Sequence, residues 1–247
     1  MDKCKFFEAP GGRLAYHRIE GINPGVVFLG GFKSDMEGSK ATFLQAWAQK
    51  HGRAFLRFDY SGHGQSSGEF TDGCIGDWAQ DAVEIVTALT DGPQVMVGSS
   101  MGGWIALLLA RAMPERFHGL VGIAAAPDFT EDSIWAGLGT EQRAILLRDG
   151  HIELPSEYAD SPYIFTRRLI EDGRAQRVLL APLELPFPVR LLQGTHDASV
   201  KLSVPLRIIE HATGDDIRLT LVKGADHSFS TPECLELLGE TVAEISP

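Results

Sequence analysis

Gln94-Val95-Met96-Val97-Gly98-Ser99-Ser100-Met101-Gly102-Gly103-Trp104-Ile105-Ala106-Leu107-Leu108 reads as strand, turn and helix in immediate succession. The apolar opening, with Val95 and Val97, has the character of a buried strand. Gly98-Ser99-Ser100-Met101-Gly102-Gly103 breaks it, and an Ala/Leu-rich helix follows. A serine at such a turn, with glycines two residues before and two after, takes a strained backbone conformation that lifts its hydroxyl clear of the sheet. Ser100 has glycine at both places, and Ser99 does not. Plain Gly/Ser turns share this short pattern, so the flanking strand and helix are what point to a nucleophile. A serine hydroxyl needs an adjacent base, so a histidine and an acid are expected further along.

Around this stretch the chain alternates. Residues 4–20 read as a hairpin about Pro10-Gly11-Gly12. Strands are expected at 25–30 and 54–59, with a helix at 40–48 between them. Tyr60-Ser61-Gly62-His63-Gly64-Gln65-Ser66-Ser67-Gly68 is superficially like a dinucleotide fingerprint, but its glycine spacing is wrong and no helix starts at the last glycine. It reads as a structural turn, with His63 a turn residue. A helix at 77–89, a strand at 119–127, a strand at 188–194, a helix at 200–211, a strand at 216–223 and a helix at 232–245 complete the series. Between Asp128 and Pro186 the rhythm breaks, with helix-like pieces at 141–147 and 165–170 and no comparable strand. That length exceeds an ordinary connection, and the segment is expected to form a small cap. The whole, 1–247, is expected to be one α/β domain with a mainly parallel sheet, helices on both faces and a 128–186 insertion. Ligands of such sheets bind at the carboxyl ends of the strands.

Composition narrows the function classes. The 247 residues are 44% hydrophobic and 22% charged, as in an ordinary globular protein. A net charge of -11 without a basic run argues against a nucleic-acid partner. Cys4, Cys74 and Cys234 form neither a disulfide framework nor a metal spacing. A reducing compartment, by default the cytoplasm, is expected. The first eight residues lack the apolar core of a secretion signal, and no stretch is long enough to span a bilayer.

Among eight histidines, His227 stands after the last expected strand and before the last helix. The acid is expected between serine and histidine in the chain. Asp197, directly after the 188–194 strand, fits, and would hold the imidazole tautomer. Asp226 adjoins His227, but sequence neighbours point apart; Asp128 is the fallback acid. The oxyanion donors are expected to be the backbone N–H of Met101, next to the nucleophile, and that of Phe32, where Gly30-Gly31 lets the backbone approach a substrate.

Assembled, these residues resemble the α/β-hydrolases over nearly the whole chain. Arg57-Phe58-Asp59-Tyr60-Ser61-Gly62, Val97-Gly98-Ser99-Ser100-Met101-Gly102-Gly103-Trp104, Pro155-Ser156-Glu157-Tyr158 and Pro188-Val189-Arg190-Leu191-Leu192-Gln193-Gly194 are similar, more narrowly, to the mitochondrial palmitoyl-protein thioesterase and acyl-glucuronide esterase branch. The resemblance implies an α/β-hydrolase fold and a triad on Ser100, Asp197 and His227. Many members carry His-Gly in the oxyanion loop, where this chain has Gly30-Gly31-Phe32. The expected activity is hydrolysis of carboxylic esters or thioesters through an acyl-enzyme, without metal or cofactor. The substrate would be a small or acylated molecule, and the protein a monomer or homodimer. Amide or peptide cleavage uses the same triad and is the alternative. A non-catalytic binding protein on this fold is a third reading.

Overall fold

A computed structural model describes residues 4–155 and 162–246. In chain order the strands and α-helices are β1 (Lys5–Ala9), β2 (Gly12–Ile19), β3 (Ile22–Leu29), α1 (Ser39–Lys50), β4 (Arg53–Phe58), α2 (Ile75–Leu89), β5 (Gln94–Ser99), α3 (Met101–Ala112) and β6 (Phe117–Ile123). Then come α4 (Thr140–Asp149), β7 (His151–Leu154), β8 (Tyr163–Thr166), α5 (Arg167–Ala175), β9 (Val189–Gly194), α6 (Ser203–His211), β10 (Ile217–Val222) and α7 (Pro232–Glu244).

Among the described residues, eight strands form one sheet in the order β1-β2-β4-β3-β5-β6-β9-β10. The β1–β2 hairpin and the β2–β4 pair are antiparallel, and every other pair is parallel. The central strands read as continuous apolar runs because both of their faces are covered. Val26, Phe28, Val95, Val97, Val121 and Ile123 pack against Leu44 of α1 and Leu238 and Val242 of α7. The alternate residues Val27, Leu29, Met96 and Leu120 pack against α2, α3 and α6 on the other side. In α3, every residue from Met101 to Ala110 is buried, so its all-round apolar sequence reflects burial rather than amphipathicity.

Most of the expected elements are present, with three differences. The strand expected at 119–127 ends at Ile123, and Ala124 and Asp128 take positive φ of 45° and 59°. The helix expected at 200–211 begins at Ser203. The segment between β6 and β9 does contain strands: β7 and β8 form an antiparallel pair, with Phe165 and Thr166 in β8 rather than in a helix. A π-helical turn, Thr130–Trp135, precedes α4. Of the Pro155-Ser156-Glu157-Tyr158 likeness, residues 156–158 lie outside the described residues.

This segment is fastened where it leaves and rejoins the sheet. The fully buried Asp128 carboxylate accepts the Val178 and Leu179 N–H groups at 2.8 and 3.0 Å, joining the segment's start to its end. Asp172 of α5 accepts the Gly76 N–H at 2.8 Å, and Trp104 Nε1 donates to the Gln176 carbonyl at 3.2 Å. These ties hold β7, β8 and the π-helical turn beside the carboxyl ends of β3 and β5.

Candidate active site

Ser100 sits at the β5–α3 turn with φ 54° and ψ -116°. A side chain reaches that conformation only under constraint. Its N–H donates to the Ile123 carbonyl at 2.9 Å, and its carbonyl accepts the Ala126 N–H at 3.0 Å. The turn is too tight for side chains at its shoulders: a Cβ on Gly98 would strike the Gly102 carbonyl, and one on Gly102 the Leu29 carbonyl.

His227 follows β10, with Nε2 3.1 Å from Ser100 Oγ and Nδ1 2.9 Å from Asp197 Oδ2. Its side chain is 17% exposed, and that of Asp197 not at all. Three further donors converge on the Asp197 carboxylate: the Ser199 N–H at 2.9 Å, the Val200 N–H at 2.8 Å and Gln193 Nε2 at 2.9 Å. Burial by itself would raise this carboxyl. The hydrogen bonds from His227, Val200 and Gln193 outweigh it and hold Asp197 below its ordinary value. The structure therefore brings Ser100, His227 and Asp197 into one hydrogen-bonded row. Asp226, though adjacent to His227, turns away and accepts from Ser228 Oγ and the Phe229 N–H.

Above the row lies a cleft of about 580 Å³. Phe129, Ile134, Leu154, Tyr163 and Phe165 form its apolar wall, all from the segment between β6 and β9. Ser34, Lys40 and Ser228 also line it. Lys40 Nζ donates to the Ser228 carbonyl, and burial holds its ammonium below the ordinary lysine value despite the nearby Asp226.

Residues 26–238 match the model of the alpha/beta hydrolase family. The chain belongs to the alpha/beta hydrolase family. It is accordingly a hydrolase by kinship. It is 34% identical to the mitochondrial palmitoyl-protein thioesterase ABHD10 of Rattus norvegicus over 233 residues, 94% of this chain and 78% of that protein. Among solved structures, a putative hydrolase from Agrobacterium vitis S4 is 37% identical with a TM-score of 0.95, covering 99% of both chains. ABHD10 from mouse is 32% identical with a TM-score of 0.91, covering 99% of this chain and 98% of that one. The narrower likeness to the palmitoyl-protein thioesterase branch is thus borne out. The compartment in the rat protein's name is mitochondrial, at odds with the cytoplasmic expectation drawn here from cysteine usage.

Within this alpha/beta hydrolase, Met101 follows Ser100 directly and Phe32 lines the same cleft. Met101 is the first residue of α3, so its N–H has no intrahelical acceptor and sits at the positive end of the helix. Phe32 lines the cleft, and a Cβ on the preceding Gly31 would stand 3.5 Å from Ser100 Cβ. Asp128, the fallback acid, faces Val178 and Leu179, a structural tie across the inserted segment. Burial raises its carboxyl, against the pull of those two N–H groups.

The sequence reading missed the parts played by Gln193 and His63 and the ring contacts of Phe32. Gln193, one polar residue before the glycine that ends β9, steadies Asp197. Phe32 stacks on Phe165 with ring centroids 5.5 Å apart and meets Phe70 edge-on at 4.8 Å. His63, expected to be a turn residue, is 3% exposed and accepts the Lys33 N–H.

Proposed function

We propose that this chain hydrolyses carboxylic esters and thioesters of apolar acyl groups, with Ser100 as nucleophile, His227 as general base and acid, and Asp197 as its orienting acid. The observation that carries the reading is the hydrogen-bonded row Ser100–His227–Asp197 at the floor of an apolar cleft. Ser100 Oγ attacks the acyl carbonyl carbon as His227 Nε2 takes its proton. The carbonyl oxygen becomes an oxyanion held by the Met101 and Phe32 N–H groups. The tetrahedral centre collapses, the bond to the alcohol or thiol breaks, and His227 returns the proton to that leaving group. Water then attacks the acyl-serine, giving its proton to His227, and the carboxylic acid is released with Ser100 restored. Asp197, ionised and buried, stabilises the imidazolium at both steps.

The segment 128–186 acts in this reading as a cap whose apolar wall receives the acyl chain. The polar lining residues Ser34, Lys40 and Ser228 receive the leaving group in this reading. The thioesterase name of the rat relative supports a long acyl thioester as substrate. Cys4, Cys74 and Cys234 are free thiols, which suits a reducing compartment, cytoplasm or mitochondrial matrix alike.

The test is a kinetic panel of p-nitrophenyl esters and acyl thioesters of graded length, with aminoacyl amides alongside. Turnover rising with acyl length on esters and thioesters supports the reading; faster turnover of amides replaces it with an amidase. Fluorophosphonate labelling must disappear in Ser100→Ala. Persistent labelling there removes Ser100 as the nucleophile.

A further inference from the structure

We propose that His63 is a positioning residue that aims the Phe32 N–H at the oxyanion; this rests on the serine-hydrolase reading above. Its two ring nitrogens have different partners. Nδ1 lies 3.1 Å from the Ser61 carbonyl, and Nε2 lies 3.2 Å from the Lys33 backbone nitrogen. A carbonyl only accepts and an amide N–H only donates. The ring therefore carries its proton on Nδ1 and offers the Nε2 lone pair to Lys33. Both bonds hold only in this neutral tautomer. Burial favours the neutral form strongly, lowering the imidazole to about 4, against the smaller opposing effect of the Ser61 contact.

The ring has little freedom to move. It is 3% exposed and is met edge-on by Tyr60, Phe70 and Trp78, with centroids 5.5, 5.1 and 5.0 Å away. Trp78 Nε1 also donates to the Ser61 carbonyl, at 3.1 Å, and the Ser61 N–H is held by Asp81 at 2.8 Å. His63 is thus a fixed post set in the loop after β4, and it reaches across to the loop after β3.

What it holds is adjacent to the chemistry. Lys33 follows Phe32 directly and takes a left-handed φ of 57°, a conformation a lysine keeps only when its surroundings enforce it. Gly30 and Gly31, just before Phe32, supply no side chains to stiffen the loop. The peptide that carries the Phe32 N–H is held at its own carbonyl, where Gly31 accepts the Ser34 N–H at 3.2 Å, and through the next peptide, whose Lys33 N–H is bonded to His63. Successive peptide planes share a Cα, and Lys33 is the inner corner of the turn closed by the Ser34-to-Gly31 bond, so releasing the Lys33 amide loosens that turn and lets the Phe32 amide tilt away from the oxyanion. The consequence falls on the transition state, because ground-state acyl binding uses the apolar wall instead.

The experiment compares His63→Leu, which fills the space without an acceptor, and His63→Gln, whose Oε1 can take the place of Nε2. On a p-nitrophenyl ester, His63→Leu is expected to lower kcat by about tenfold or more with KM within about twofold, approaching the roughly 10²-fold loss of a whole oxyanion donor. His63→Gln is expected to recover most of that rate. A trifluoromethyl ketone, which mimics the tetrahedral oxyanion, should lose affinity for His63→Leu by the same factor while the product carboxylate does not. Nitrogen NMR of the unmodified protein, which needs no variant to fold, should show His63 protonated at Nδ1 with Nε2 coupled to the Lys33 amide. A folded His63→Leu protein with unchanged kcat, a His63→Gln protein no better than the leucine one, or an Nε2-protonated ring overturns the proposal. Ser100→Ala with undiminished turnover overturns the underlying reading instead, and leaves the NMR result standing.

Discussion

His227 Nδ1 is 2.9 Å from an Asp197 carboxylate that has no solvent exposure. Asp197→Asn keeps the shape of this contact and reverses its polarity. The amide NH2 would face both His227 Nδ1 and the Gln193 NH2 group. The imidazole then protonates at Nε2 and can no longer accept the Ser100 proton. On the proposed mechanism, turnover of a p-nitrophenyl ester is expected to fall on the order of 10⁴-fold, as when an orienting acid is neutralised in serine proteases. Steady-state kinetics on the folded variant check this.

The same carboxylate gives a pH dependence of stability. Burial opposes ionisation of Asp197, but its hydrogen bonds prevail, so its folded pKa lies below its unfolded value. Its contribution is therefore present above the unfolded carboxyl pKa and is lost as pH falls through the folded one. Urea unfolding of the wild type and Asp197→Asn should show a stability gap at pH 7 that narrows in acid below the usual carboxylate range. A gap of constant size would mean that the Asp197 bonds do not favour its charged form.

Asp128 separates structure from chemistry. Its carboxylate satisfies the Val178 and Leu179 N–H groups in a fully buried place. Asp128→Ala leaves two buried donors without an acceptor, at about 1–3 kcal/mol each. The melting temperature should drop by several degrees or more. Turnover per fluorophosphonate-reactive site should stay within about threefold, against the ~10⁴-fold loss expected on removing an orienting acid. Calorimetry paired with active-site titration makes the distinction.

The sheet and the serine turn were legible because both are written locally. Strands buried on two faces read as apolar runs, and Gly98 and Gly102 are where any Cβ would collide. His227 and Asp197 followed from chain order. The β7–β8 pair was hidden because its strands are four residues long and β8 runs into α5 without a break. Thr166 ends the strand and at once caps the helix, accepting the Leu169 N–H at 3.1 Å. Phe165, Leu169 and Ile170 are spaced as on one helix face, so the junction looks helical from the sequence. The part played by His63 was invisible for another reason. It depends on a backbone amide 30 residues earlier, and nothing in Gly62-His63-Gly64 records that partner.

Ile134 tests the acyl wall. It projects from the π-helical turn into the cleft. Ile134→Trp would take up room that a long chain needs, and each methylene kept out of the apolar wall forfeits about 0.8 kcal/mol of burial. With roughly four methylenes displaced, kcat/KM on palmitoyl thioesters should fall about 10²-fold, with acetyl esters nearly unaffected. Equal losses on both substrates would place the acyl chain elsewhere.

Ser100 carries the last prediction, since its backbone is strained. Its φ of 54° and ψ of -116° suit glycine far better than a residue with a Cβ. Strain of this kind costs about 1–3 kcal/mol. Ser100→Gly relieves it at the loss of the single Oγ contact with His227, a hydrogen bond contributing about 1 kcal/mol. Ser100→Ala loses the same contact and keeps the strain. The glycine variant should therefore melt about 2–12 °C above the alanine one, both of them inactive. Thermal unfolding of the two side by side decides it. Equal melting temperatures would show that the turn, pinned by its bonds to Ile123 and Ala126, holds this conformation without cost.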